Sequence, residues 1–461
     1  MRNLVRGVTL AVALAGGAVQ AESLADAMVA AYRHSALLDQ NRAVLRAADE
    51  DVAAATARLR PVVEWVARHA ESATDTGTGW RGARSTSVTL SGSLTLYDFG
   101  RSQLAIDGAK EQVLAARQGL VAVEQNVLLS AASAYFQVRQ ATQQVALQQS
   151  SVQVLQQERR AAQDRFDVGE ITVTDVALAD AQLAGTQARL AAASGQLEIA
   201  REQYRSATGR LPGSLSAPPP LPKLPASADA ARAVAQRTHP VILQAQRGAA
   251  AAEIAVAAAA AERNPTLSGN ASIGVARSPN QATGQYNWTD SAQVGVEMRQ
   301  TVYSGGRLSS GHRKAMAGRD QARANLLNAS RTVAQQVGES WANIDVARAQ
   351  IRAIDQQISA AQQAYDGVRE EALLGARTTL DVLDAEQALL TARADKISAE
   401  SNLQLAHYQL LAAMGLLTVE SLKLGIQTYD PSQYYNAVRD APFTSSQGES
   451  LDRVLRAIGR N

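Results

Sequence analysis

The chain has no cysteine in 461 residues. That absence excludes a disulfide framework, and it excludes a lipid anchor on an N-terminal cysteine of the mature chain. Aromatic residues make up only 4%, thin for a broad globular core, whereas abundant alanine suits helices packed closely side by side. A charge excess of one sign is also missing. Forty-five Lys and Arg against 43 Asp and Glu leave a net charge of +2, which points to neither nucleic acid nor an acidic surface. No apolar run reaches the roughly 20 residues of a membrane-spanning helix. The five histidines (His34, His69, His239, His312, His407) show no metal-ligand spacing, and no nucleophile motif, phosphate loop or dinucleotide fingerprint occurs. The sequence predicts no enzyme, no cofactor and no metal centre.

What is present begins with a leader. Arg2 and Arg6 precede an apolar run from about Val8 to Val19, and Val19-Gln20-Ala21 places small residues for cleavage after Ala21. Residues 1–21 therefore read as a signal peptide, and the mature chain as one working outside the cytoplasm. A helical pattern from Ser23 stops before Pro61. Strands are expected over about 62–71 and 87–97, and the second alternates cleanly: Val88, Leu90, Leu94 and Leu96 on one side, Thr89, Ser91, Ser93 and Thr95 on the other. A helix over about 101–165 follows without proline, on the order of 95 Å long at 1.5 Å per residue. A turn at Gly169 and a returning helix complete a first repeat, 22–211. Six of the twelve prolines then fall in 212–227, an extended linker.

The pattern then starts again over 228–417, with strands expected at about 265–276 and 290–303 and a long helix at about 306–370. Tyr97 and Tyr303, Gly100 and Gly306, Gly169 and Gly375, and Gly209 and Gly415 all stand 206 positions apart. One offset held over more than a hundred residues is the mark of an internal duplication. Ahead of the hairpin loop the offset is 204 (Pro61, Pro265). Val337, Ile344, Ile351, Ile358 and Tyr365 keep a seven-residue apolar repeat, which implies a left-handed supercoil. A tail, 418–461, has no repeat partner.

Strands with one apolar and one small-polar face suit a membrane barrel. Four cannot close one, and an open edge in lipid strands backbone groups, so several chains must each contribute four. The leader, the strands and the long helices together point to the outer membrane, with an antiparallel helical array in the periplasm. The rival reading is a periplasmic coiled-coil adaptor (membrane fusion) protein, which normally carries one helical hairpin where this chain has two.

Leu96-Tyr-Asp-Phe-Gly100 and Thr301-Val-Tyr-Ser-Gly-Gly-Arg307 at the strand-to-helix junctions, with Gly169–Gln182 and Gly375–Gln387 at the helical turns, resemble the TolC family of outer-membrane efflux and secretion proteins. The resemblance covers essentially the whole mature chain. It implies a mostly α fold with membrane β: an internally duplicated α-helical coiled-coil barrel plus four transmembrane strands per chain, completing a 12-stranded barrel in a homotrimer. It also implies an equatorial girdle built partly from the linker and tail. The implied partners are a periplasmic adaptor and an inner-membrane ABC transporter or proton-driven pump, with secreted protein or small toxic compounds as cargo. Lacking an N-terminal cysteine, the chain looks more like the type I secretion branch.

The two turns carry the candidate site. Thr172 with Asp175, and Thr378 with Asp381, have the form of a capping box, which by itself explains both acids. It does not explain Asp384, whose counterpart is Leu178, nor Arg377, whose counterpart is Ile171. Asp381 and Asp384, three apart, share a helix face. In a threefold assembly they would ring the inner entrance, where crowded carboxylates favour bound cations. The family places its entrance aspartates at these positions, and uses an arginine matching Arg377 to tie the turn shut against an aspartate matching Asp175. The tyrosine that usually helps is replaced by Ala372.

Overall fold

The computed structural model describes residues 21–75, 77, 79–279, 283, 285–441, 449 and 453. The expected leader, 1–21, lies outside them except for Ala21, as does most of the tail beyond residue 441. The first copy runs α1 (Leu24–His34), α2 (Ala36–Ala57), β1 (Val62–Asp75), β2 (Trp80–Tyr97), α3 (Arg101–Asp167) and α4 (Val173–Thr208). The second repeats the order as α5 (Ala228–Thr238), α6 (Pro240–Ala261), β3 (Thr266–Pro279), β4 (Tyr286–Arg299), α7 (Arg307–Leu373) and α8 (Thr379–Ala413). A short α9 (Pro431–Val438) stands in the tail. Both long helices, α3 and α7, have 67 residues. No helix among the described residues is long and apolar enough to cross a membrane.

Two features differ from the sequence reading. The helical stretch before each hairpin is broken, at Ser35 in the first copy and His239 in the second, 204 positions on. Ser35 accepts from the N–H of Leu38 and His239 from that of Val241, so each break is a new N-cap. Pro240 at the first helical position was the available signal. The strands also run past their apolar alternation. β1 and β2 pair from Val62–Ser93 out to Asp75–Trp80, through Ser, Thr and Gly that read as loop. Backbone pairing continues there without an apolar face, and an Arg84–Glu71 ion pair of 2.9 Å bridges the extension.

The chain divides into two compact units. One comprises Ser35–Leu129, Lys223–Ile344 and Tyr408–Asn461. It holds an antiparallel sheet in the order β1-β2-β3-β4. Register decides which face each side chain takes. Trp65 opposes Leu90, Leu90 opposes Ile273, and Ile273 opposes Ala292. In the same way Gly92, Ala271 and Val294 align, as do Leu94, Gly269 and Val296. Most apolar residues of the four strands thus share one face, whereas Val62 and Val66 of β1 fall on the other, where Glu64, Ser91, Ser272 and Gln293 form a row. On the apolar face Val294, Val296 and Met298 are 86%, 67% and 68% exposed, large apolar surface with no protein cover in the chain. Trp80 and Trp288, near the hairpin ends, lie on this same face, where an interfacial aromatic belt would sit. β1 and β4 are left as open edges.

The described part of the tail is fastened to the first copy. Arg117 on α3 donates to the Pro431 carbonyl at 3.3 Å and lies over the Tyr435 ring at 5.2 Å, while Tyr434 donates to Glu50 at 2.6 Å. In the second copy the matching Glu253 and Arg323 form an ordinary exposed ion pair of 2.7 Å. In the first, the tail occupies Arg117, and Asp49 is fully buried with neither carboxylate oxygen hydrogen-bonded. Burial pushes its pKa up to about 6, Arg117 opposing and Glu50 adding to the shift. Because the folded-state pKa is raised, the stabilising protonated form is present below the ordinary carboxylate range and is lost as pH rises through about 6. Asp49→Asn should therefore stabilise the protein at about pH 7.5 by on the order of 1–3 kcal/mol. At about pH 3, below the ordinary carboxylate range, it should change little, as thermal unfolding at the two pH values would show.

The second unit comprises Met1–His34, Ser130–Pro222 and Asp345–His407. Its helices pack through the heptad positions: Ala131, Val138 and Val152 of α3 and Tyr365 of α7 are buried, with Ile351 and Ile358 half-buried. Glu22 donates its N–H to the Ser214 carbonyl at 2.8 Å and accepts from Ser216 at 3.0 Å, a parallel bridge that pins the start of the linker. Buried Tyr135 seals it by donating to the Ser216 carbonyl at 2.8 Å.

Candidate gate at the helical turns

Both long helices end in the same way. Gly169 (φ 80°) and Gly375 (φ 76°) adopt the left-handed conformation that costs glycine nothing. Ala376 donates to the Glu371 carbonyl and Gly375 to that of Ala372, at 2.9 and 3.1 Å; Glu170 and Gly169 do the same in the first copy. This is the Schellman arrangement, which satisfies the last carbonyls of each helix. The chain then re-enters a helix through the expected caps. Asp381 accepts from the Thr378 N–H at 2.9 Å and its hydroxyl at 2.8 Å, and returns its own N–H to Thr378 Oγ1 at 3.3 Å. Asp175 accepts from Thr172 likewise, at 3.0 and 2.8 Å. The Thr378 hydrogen bonds, with Arg377 nearby, hold the Asp381 carboxyl below the usual range, so it is ionised at neutral pH.

The copies then diverge. Leu178 packs against the core of Leu155, Ala162, Ala179 and Leu383. Asp384, its counterpart, is exposed, and Asp381 beside it is partly exposed. Arg377 is exposed as well and bonds Glu371 through Nε at 2.8 Å. Among the described residues it has no ion pair with Asp175; each of the two has a partner within its own turn. Ala372 is buried with Tyr365, Val382 and Leu389, part of the α7–α8 core.

Two contacts near the turns were not singled out from sequence. Arg369 on α7 lies 3.5 Å from Glu158 on α3, and Ser151 on α3 donates to Glu386 on α8 at 2.8 Å. Both join the first copy to the second. The duplication would have flagged them, because the positions matching Arg369, Glu158 and Ser151 are Gln163, Ala364 and Gln357. No group of His, Asp or Glu among the described residues could hold a metal within one chain.

A sheet with one mainly apolar face and two turn-tipped helical hairpins defines an outer-membrane channel protein with a helical body. The family model described as outer membrane efflux protein matches residues 27–210 and 232–416, one match to each copy, and the chain belongs to that family. It is 34% identical over 437 residues to the outer membrane efflux protein BepC of Brucella suis biovar 1 (strain 1330), covering 93% of each chain. Against the outer membrane protein TolC of Escherichia coli (strain K12) the identity is 27% over 348 residues, 71% of this chain and 69% of TolC. The solved structure of CusC superposes with a TM-score of 0.74 at 20% identity, over 86% of this chain and 92% of that one, a likeness of fold. The protein is thus an outer-membrane efflux channel and not an enzyme, with its helical body in the periplasm.

Proposed function

We propose that three copies of this chain close a 12-stranded barrel and a periplasmic helical tunnel. Together they serve as the passive exit duct of a tripartite export system. The observation that carries the reading is the sheet: one face apolar across four strands, and both edges, β1 and β4, open. An open edge cannot stand in hydrocarbon, and β4 of one copy pairing with β1 of the next removes every edge at once. Maturation after Ala21 frees Glu22, whose backbone pairs with the start of the linker. The linker 212–227 and the tail 418–461 then belong to an equatorial girdle.

Energy comes from an inner-membrane ABC transporter or proton-driven pump, engaged through a periplasmic adaptor. The cargo is secreted protein or small toxic compounds, with type I secretion favoured by the missing cysteine. At the inner end Asp381 and Asp384 form the entrance ring. On assembly Arg377 exchanges Glu371 for Asp175 and ties the turns shut. Extraction from membranes only with detergent, as a particle of three chains by native mass, is the expected result. A water-soluble monomer would instead indicate the adaptor role.

A further inference from the structure

Register sorts the charges of the sheet as it sorts the apolar residues. Arg68 on β1 opposes Ser87, in a row that continues through Ala276 and Thr289, and Arg81 on β2 opposes Thr74. Two-residue alternation puts both arginines on the face of Glu64, Ser91 and Gln293, turned away from Trp65 and Leu90. Both are exposed, and among the described residues neither has an ion pair or a side-chain hydrogen bond. They lie towards the hairpin ends of the sheet, remote from the strand ends that lead into helices. From the Glu64 row to the hairpin ends, every other described residue on this face is uncharged. The nearby acids take the apolar face: Glu71 pairs with Arg84 at 2.9 Å, Asp75 accepts from the Gly77 N–H at 3.0 Å, and Asp290 opposes Val275. Glu64 stands four residues down β1 from Arg68, about 13 Å at the rise of a strand. That is beyond ion-pair reach and beyond the roughly 8 Å screening length of physiological salt. The positions matching Arg68 and Arg81 in the second copy are Ser272 and Asn287, so only the first hairpin carries this charge.

We propose that Arg68 and Arg81 form an anion-binding collar inside the outer mouth of the duct, which takes soluble polyanions with clustered phosphates from the exterior. This inference rests on the barrel reading above, which makes the polar face the lumen and the hairpin ends the mouth. Two guanidinium groups per chain become six in a trimer, a wall of one sign around a confined path. Such a wall raises the local concentration of counter-ions by roughly tenfold or more. Guanidinium forks match phosphate oxygens two at a time, and a solute bearing several phosphates engages more than one chain. The lumen faces water, so the ligand is a soluble anion. Arg277, on the apolar face and 5.8 Å from the centre of the Tyr286 ring, is the arginine that a lipid phosphate would reach. A neighbouring copy brings its β4 beside Arg68. The one acid on the polar face of that strand is Glu297, already paired with Arg299 at 2.6 Å. The mouth is thus opposite in sign to the entrance ring of Asp381 and Asp384, and acidic cargo leaves towards attracting charge.

Single-channel recording of the purified trimer tests this, with inositol hexakisphosphate added to the hairpin side as the probe. At low salt the probe should block the natural channel from that side, and the block should weaken as salt rises. R68Q/R81Q keeps the face polar and should raise the blocking concentration about tenfold or more. R81Q alone, at the rim, should raise it about threefold, which keeps the test open if the double variant does not assemble. R277Q, on the other face of the sheet near the same ends, should leave the block unchanged. No block of the natural channel, an undiminished block in R68Q/R81Q or R81Q, or an equal loss in R277Q would overturn the collar. Absence of any conductance in the natural protein would instead overturn the duct reading beneath it.

Discussion

Block of the channel by divalent cations should disappear when Asp381 and Asp384 are both replaced with alanine. Two carboxylates per chain, three residues apart on one helix face, become six around a threefold axis. The ordinary way to satisfy such a ring is a bound cation, because each carboxylate raises the cost of ionising its neighbours. Asp381 brings its charge reliably, since the Thr378 hydrogen bonds hold its carboxyl low. Asp384 brings the second charge from an exposed position where the first copy has a half-buried leucine packed on the core. Asp381 also caps α8, so the double variant could act by loosening the helix start. Thr378→Ala separates the effects: it removes the hydroxyl of the cap, leaves both carboxylates, and should leave the block intact. Block unchanged in the double variant would sink the ring.

Arg377→Ser should raise the open fraction. An exposed ion pair is weak in any one chain, but three chains open together, so a twofold change per chain becomes about eightfold in the assembly. Within the chain Arg377 meets Glu371, which makes the comparison informative. If the tie to Asp175 forms in the trimer, Asp175→Asn should reproduce the effect, because asparagine still caps a helix but carries no charge. Glu371→Gln should not. Equal effects from Glu371→Gln and none from Asp175→Asn would show that the in-chain pair is the working one. Conductance at low salt is the readout, since screening weakens the pair as salt rises.

The fold was legible because two periodicities survive in one chain. The two-residue alternation of Val88–Leu96 and the seven-residue spacing of Val337–Tyr365 each report a face, and the constant offset reports that the unit occurs twice. Strand ends were less legible: outside the hydrocarbon no apolar face is needed, so β1 and β2 continue through Ser, Thr and Gly without the alternation that marks them. The breaks at Ser35 and His239 fall inside a helical pattern rather than at its ends, and Pro240 is the local signal for the second. For the candidate site, sequence identified the residues that cap the turns and those that break the symmetry between copies. It could not supply partners. That Arg377 meets Glu371, that Arg369 meets Glu158, and that Glu386 is buried against Ser151 depend on packing between α3, α7 and α8. No spacing along the chain encodes that packing.

The central claim is that this chain forms a duct closed at its periplasmic end by charged turns. Recording from the purified full-length mature protein in a planar bilayer tests it most directly, adding a divalent cation to the side the turns face. The expected result is discrete, uniform single-channel steps that the cation blocks from that side alone. A protein that extracts as a trimer yet gives no conductance steps, or steps that a divalent cation blocks equally from both sides, would contradict it.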